Sequence, residues 1–269
     1  MLLSMRKMVF TDLDGTFLNH DDYSFEPSLN AVSVLKEKKI PLIFTTSKTR
    51  KEVEILQKEV GIQEPFIVEN GAALFVPKGY QDFDFSFLDV FDANYYVYML
   101  GVPYGKTVAF YNRYKEAFGM HGFSDMDLPQ VAECTGLKEK DAVLSKNRDF
   151  TEPFLWEQEE RLEELSDLAL EYGLKITKGG RFYHLIGAGQ DKGKAVAKCV
   201  ALFQDLFQHP ISSIGLGDGE NDIPLLENVD IPIAIQNHEG KYIEVNAKQF
   251  QKSTYKGAEG WNEMILKNV

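Results

Sequence analysis

Short apolar runs alternate with amphipathic stretches at both ends of the 269-residue chain, and the alternation breaks off in the middle. Apolar runs bounded by turn signals and followed by helical stripes read as βαβ units, which build a parallel sheet. Residues 8–10 open the series. Leu29, Val32 and Leu35 recur at helical spacing, and 40–45 reads as a buried strand with Pro41 near its start. Val53, Leu56 and Val60 mark a helix over 51–60, Gly61 stops it, and 66–68 follows as a strand. From Asp191 the rhythm returns. Val196, Cys199, Val200, Phe203 and Phe207 form a helical stripe, 211–216 and 231–235 read as strands, and 257–268 is helix-like. The two outer segments are therefore expected to share one sheet.

Asn70-Gly71, set between apolar runs, predicts a tight hairpin whose two central residues take positive φ. Beyond Pro77-Lys78-Gly79-Tyr80 the pattern changes, and 81–98 is rich in Phe, Tyr and Asp without βα rhythm. Strands near 150–156 and 174–186 flank a helix over 158–172, marked by Leu162, Leu165, Ala169 and Tyr172. This describes a small α+β insert.

The formal net charge is −12, from 41 acidic residues against 29 basic ones, so the chain repels polyanions and neither nucleic acid nor a membrane surface is an expected partner. No run approaches the roughly 20 apolar residues of a membrane span, and the first four residues are too short for a signal peptide, so a cytoplasmic location is expected. Cys134 and Cys199 lack a CxxC partner or a histidine at ligand spacing and read as packing residues.

The chemistry concentrates at strand ends. Asp12-Leu13-Asp14-Gly15-Thr16 follows the first strand directly, and residues two apart in an extended chain point the same way. Open parallel sheets bind ligands at that edge. Adjacent carboxylates repel unless a cation or a shared proton lies between them, and an oxygen-only ligand set suits Mg²⁺. An acidic turn alone is common. The run Gly215-Leu216-Gly217-Asp218-Gly219-Glu220-Asn221-Asp222, however, also follows an apolar strand and again presents carboxylates, without the ligand alternation of a calcium loop. Between them, Phe44-Thr45-Thr46-Ser47-Lys48-Thr49-Arg50 places hydroxyls and cations where a strand passes into a helix. That run serves either as an anion site or as an ordinary N-cap. Lys192 also precedes a helix and could neutralise an anion at the same edge.

In that order, the acid pair, hydroxyl, lysine and acidic Gly loop resemble the four motifs of the haloacid dehalogenase-like hydrolases. The resemblance implies an α/β fold: a Rossmann-like parallel-sheet core, residues 1–82 and 188–269, with an inserted α+β cap over 83–187. It makes Asp12 the nucleophile, Asp14 the general acid/base, Thr46 the phosphate-binding hydroxyl and Lys192 the stabilising cation. Asp12, Asp14 through its carbonyl, Asp218 and Asp222 become the Mg²⁺ set. Thr46-Ser47-Lys48-Thr49-Arg50, Glu69-Asn70-Gly71, Pro77-Lys78-Gly79-Tyr80, Arg181-Phe182-Tyr183-His184 and Asp191-Lys192-Gly193-Lys194 further resemble the mannosyl-3-phosphoglycerate phosphatases.

That family implies a small phosphorylated sugar-glycerate substrate, mannosylglycerate as product, and action as a monomer or homodimer. Its glycerate carboxylate is a second anion, for which Lys48, Arg50, Arg181 and His184 are the candidate binders, and Ser47 and Asn221 complete the substrate-binding set. His184 reads more readily as a packed or surface residue, and His20, His121, His209 and His238 show no ligand spacing. Glucosyl-3-phosphoglycerate phosphatase, sucrose-phosphate phosphatase and phosphomannomutase are the nearer alternatives. An aspartate-phosphorylated signalling module is the distant one, and Asp14 together with the insert counts against it.

Overall fold

Strand β1 (Arg6–Thr11) alternates Met8 and Phe10 with Val9, and all three are fully buried. A strand buried on both faces needs a covering layer on each. On the Val9 side, helices Leu29–Glu37, Arg50–Val60 and Gly257–Asn268 supply Val32, Leu35, Val53, Leu56, Trp261 and Met264. On the Met8 side, helices Lys192–Phe207 and Ile223–Glu227 supply Val196, Cys199, Phe203, Leu225 and Leu226. The residues described by this computed structural model are 6–179, 182–248 and 250–269. Among them no helix is long and apolar enough to cross a membrane.

Both ends of the chain build the larger sheet. Its strands are β1, β2 (Leu42–Thr45), β3 (Phe66–Val68), β4 (Ala73–Pro77), β5 (Asp89–Val90), β6 (Tyr95–Met99), β11 (Ile211–Gly217), β12 (Ile231–Gln236) and β13 (Gln251–Lys256). Their order is β13-β12-β11-β1-β2-β3-β4-β6-β5. The strands from β13 to β3 run parallel, with Val9 beside Ile214 on one side and Leu42 on the other. The chain thus leaves β1 towards β2 and returns on its opposite flank at β11. This is the switch point at which open α/β sheets form ligand crevices.

Two expectations need correction. Residues 83–99 do not belong with the insert, because β6 pairs antiparallel with β4, placing Val97 opposite Phe75, and β5 pairs with β6. An antiparallel edge of half-buried tyrosines carries no βα period, which is why this stretch broke the rhythm. The crossing to the second sheet therefore follows Met99 instead of residue 82. The Asn70-Gly71 turn is also longer than a two-residue hairpin. Val68 pairs with Ala73, and Glu69, Asn70 and Gly71 take φ of 48°, 59° and 84° in succession. Gly71 is required there, since a Cβ on it would lie 2.2 Å from the Asp191 carbonyl oxygen.

The smaller sheet is antiparallel, in the order β7-β8-β10-β9, from β7 (His121–Gly122), β8 (Glu152–Leu155), β9 (Leu174–Gly179) and β10 (Phe182–Gly187). Helices Tyr104–Phe118 and Leu162–Glu171 cover one face through Phe110, Tyr111, Phe118, Leu165 and Ala169. Helices Leu128–Thr135 and Glu139–Ser145 form a second cluster with Phe123 and Phe182.

The turn at residues 69–72 joins the two sheets. The Ala72 carbonyl accepts the backbone N–H groups of Leu100 and Gly101 at 2.8 Å each, where the chain departs. The Glu69 carbonyl accepts Gln190 Nε2 at 2.9 Å, where it returns.

Candidate active site

Asp12 follows β1 immediately, held by its backbone N–H on the Leu216 carbonyl of β11 at 2.9 Å. Lys192 opens the helix that covers the Met8 face, behind the Asp191 N-cap, and its side chain is fully buried. Its Nζ lies 2.5 Å from Asp12 Oδ1 and 2.6 Å from Asp222 Oδ1. Asp218, at the end of β11, completes a cluster in which carboxylate oxygens of Asp12, Asp218 and Asp222 lie within 4.8 Å of one another. Thr16 donates to Asp218 Oδ1 at 2.9 Å. Gly15 makes room for this group: its φ is +79°, and a Cβ there would lie 2.5 Å from Asp218 Oδ2.

Two buried carboxylates share one ammonium, and a third, half-buried, stands beside them. Burial first, then the charges of Asp222 and Asp14, push Asp12 above the usual carboxylate range against the opposing pull of Lys192. Asp218 is raised in the same way, by burial and by Asp12 and Asp222. Burial alone would lower Lys192, but its two carboxylate partners outweigh that and raise it. The cluster therefore lacks positive charge, and its oxygen-only donors fit a hard divalent cation such as Mg²⁺.

Two of the residues read as metal ligands have carboxylates with other partners. Leu13 is buried in the core and the chain turns there, so Asp12 and Asp14 do not share an extended strand. The Asp14 carboxylate pairs instead with Lys48 Nζ at 2.9 Å. Asp222 is committed on both oxygens, Oδ1 to Lys192 and Oδ2 to the backbone N–H groups of Asp218 at 3.1 Å and Gly219 at 3.0 Å. It shapes the loop that carries Asp218.

The strand-to-helix run after β2 is capped. Thr49 and Glu52 form a reciprocal capping box at the start of helix Arg50–Val60, so the N-cap reading holds for this terminus. Thr46 is fully buried, and its hydroxyl oxygen accepts the Lys48 N–H at 3.1 Å. Arg50 is not in the cleft. Its guanidinium sits 2.5 Å from Glu54 and 3.5 Å from Asp149 and lies over the Phe91 ring, so its charge is already matched.

Asp12, Asp14, Ser47, Lys48, Asp218 and Asn221 line a cavity of about 280 Å³, bounded on the side of the smaller sheet by Phe123, Arg148, Phe182 and His184. Asn221 also donates to Asn70 Oδ1 at 3.2 Å. Arg181 lies outside the described residues. A larger groove, about 840 Å³, opens near Arg6, Lys39 and Leu42 at the opposite ends of the strands. It holds none of the clustered carboxylates, so volume does not identify the site.

The haloacid dehalogenase-like hydrolase family matches residues 9–258. This chain belongs to that family. The hydrolase is 48% identical over 258 residues to a glucosyl-3-phosphoglycerate/mannosyl-3-phosphoglycerate phosphatase of Persephonella marina, spanning 96% of this chain and 95% of the relative. It is 39% identical over 267 residues to a protein of the same description from Methanococcoides burtonii, spanning 97% of each. A Thermoplasma acidophilum structure shares its fold with a TM-score of 0.68 at 17% identity, covering 98% of both chains. A Bacteroides thetaiotaomicron phosphatase of the same superfamily gives 0.66 at 18% identity, covering 98% of this chain and 94% of the other.

Two residues of this hydrolase escaped the sequence reading. Glu69, fully buried, accepts from Arg148 Nε at 3.3 Å, from the backbone N–H groups of Asp149, Phe150 and Thr151 at 2.8, 3.2 and 2.7 Å, and from the Thr151 hydroxyl at 2.8 Å. Arg148 Nη2 in turn donates to the Ser47 carbonyl at 2.7 Å. The one sequence signal was a carboxylate directly before Asn-Gly, and that signal points to a turn.

Proposed function

We propose that this hydrolase removes phosphate from mannosyl-3-phosphoglycerate, and from its glucosyl counterpart, through a phosphorylated Asp12. The buried Asp12 between Lys192 and Asp218, in a cleft bounded by the smaller sheet, carries the reading, and the names of the two relatives support the substrate class. Asp12 attacks phosphorus, the bond to the glycerate oxygen breaks, and Asp14 gives that oxygen a proton. Asp14 then takes a proton from the water that attacks the phospho-aspartate, releasing phosphate and restoring Asp12. The Thr46 hydroxyl and Lys192 receive the phosphoryl oxygens. Mg²⁺ held by Asp12 and Asp218 would supply the charge that a cluster of three carboxylates and one lysine lacks. The unit built on the smaller sheet acts as the cap that selects substrate, with its crossings near 100–103 and 187–190. A cytoplasmic location and action as a monomer or homodimer on a small anion accompany this reading.

Phosphate release from a panel in Mg²⁺ tests it. The two hexosyl-3-phosphoglycerates should give the highest kcat/KM, above sucrose phosphate and mannose phosphates. Preference for either of the latter overturns the substrate, and return of the phosphoryl group to a sugar instead of water overturns the reaction class.

A further inference from the structure

We infer that Arg148 receives the carboxylate of the substrate, the anion that distinguishes a phosphoglycerate ester from an ordinary sugar phosphate; this rests on the phosphatase reading above. The substrate brings two anionic groups into the cleft, and the cluster at β1 and β11, with the cation it would hold, serves the phosphate. Among the described lining residues the remaining lysine and arginine are Lys48 and Arg148. Lys48 is committed to Asp14 at 2.9 Å, with Glu52 at 3.7 Å. Arg148 is differently placed. Its partner Glu69 also collects three backbone N–H groups and a hydroxyl, so that carboxylate is largely satisfied without the guanidinium.

The donors of Arg148 make the same point. Nε is shared between Glu69 and Thr151, Nη1 donates to the Ser145 carbonyl and Nη2 to the Ser47 carbonyl. That uses three of the five N–H groups a guanidinium carries, and two face no described protein acceptor. The side chain is only 4% exposed, which fixes it as a rigid fork against the cleft. Beside the fork stands His184, 6% exposed, lining the same cavity with an Nδ1 that has no hydrogen-bond partner among the described residues. Buried polar atoms are ordinarily hydrogen-bonded. A neutral imidazole nitrogen next to a fixed guanidinium suits a carboxylate flanked by the hydroxyls of a sugar, since both glycerate hydroxyls of the substrate are substituted. Glu69 is then a positioning residue that sets the angle of the fork.

The test compares a hexosyl-3-phosphoglycerate with its carboxamide analogue, in the wild type and in Arg148→Gln and Arg148→Lys. The wild type should prefer the acid by roughly tenfold to a hundredfold in kcat/KM. Arg148→Gln should bring that ratio close to one, mainly through KM, and Arg148→Lys should keep part of it. Because the ratio is taken within one preparation, a partly misfolded sample does not move it. No preference in the wild type, or an unchanged ratio in Arg148→Gln, overturns the assignment. Failure of the substrate reading looks different: the wild type hydrolyses p-nitrophenyl phosphate but neither hexosyl compound, and the assignment falls with it.

Discussion

Two charge clusters border one cleft, and they are balanced in opposite ways. At the ends of β1 and β11, Asp12 and Asp222 share the ammonium of Lys192 and Asp218 lies beside them, so negative charge is in excess. At the seam between the sheets, Glu69 alone gathers Arg148, three backbone N–H groups and a hydroxyl, so its carboxylate has more donors than it needs. Under-compensation leaves oxygens able to take a cation or attack phosphorus, whereas full satisfaction makes a joint. The contrast separates the place where chemistry happens from the place that holds the cap in position.

The largest effect should come from Asp12→Asn. Turnover should fall about ten-thousandfold or more, because the nucleophile is lost. Stability should hold or rise: the native pKa of Asp12 is raised, so its ionised form costs stability as pH climbs, and Asn removes that cost. A lowered melting temperature would show that the cluster holds the fold together and would blur the distinction between the two clusters.

Glu69→Ala should do the reverse. Leaving Arg148 buried and unpaired should cost about 3–5 kcal/mol in denaturant unfolding. A loss under about 1 kcal/mol would mean the seam is not a joint.

A smaller, pH-dependent effect belongs to His184, held at a pKa of about 3 by burial and by the charges of Arg148 and Lys192. Its native value lies below the unfolded 6.5, so its stability contribution is present above pH 6.5 and is lost as pH falls towards 3. His184→Gln should flatten that acid limb by up to about 1.4 kcal/mol per pH unit in melts taken across the window. An unaltered slope would place the imidazole in contact with solvent.

The smallest effect is expected at Arg50, whose charge is spent on Glu54 and Asp149 away from the cleft. Arg50→Lys should leave kcat and KM within about twofold on a hexosyl-3-phosphoglycerate, since substitutions removed from the reacting groups act weakly. A tenfold rise in KM would return this residue to the substrate-binding set.

Asp12, Lys192 and Asp218 were legible in the sequence because each sits at the end of a strand or the start of a helix, where local periodicity alone sets its position. Their neighbours were read less well. Asp14 and Asp12 are two residues apart, but a turn at a buried leucine sends the second carboxylate to Lys48. Asp222 and Arg50 stand in the expected motifs with their charges already engaged. Strands β5 and β6 were hidden because an antiparallel edge lacks the βα period.

The order of apolar runs, caps and glycines in this chain determined by itself a parallel sheet assembled from both ends, and which carboxylates emerge at its edge. These follow from short-range geometry, the period of a strand or helix and the φ a turn requires. Only the tertiary structure decided which charges remain uncompensated. Glu69 meets Arg148 and Thr151 across some 80 residues of intervening chain. Pairings across such distances depend on how two sheets pack, and no local pattern encodes the angle between them.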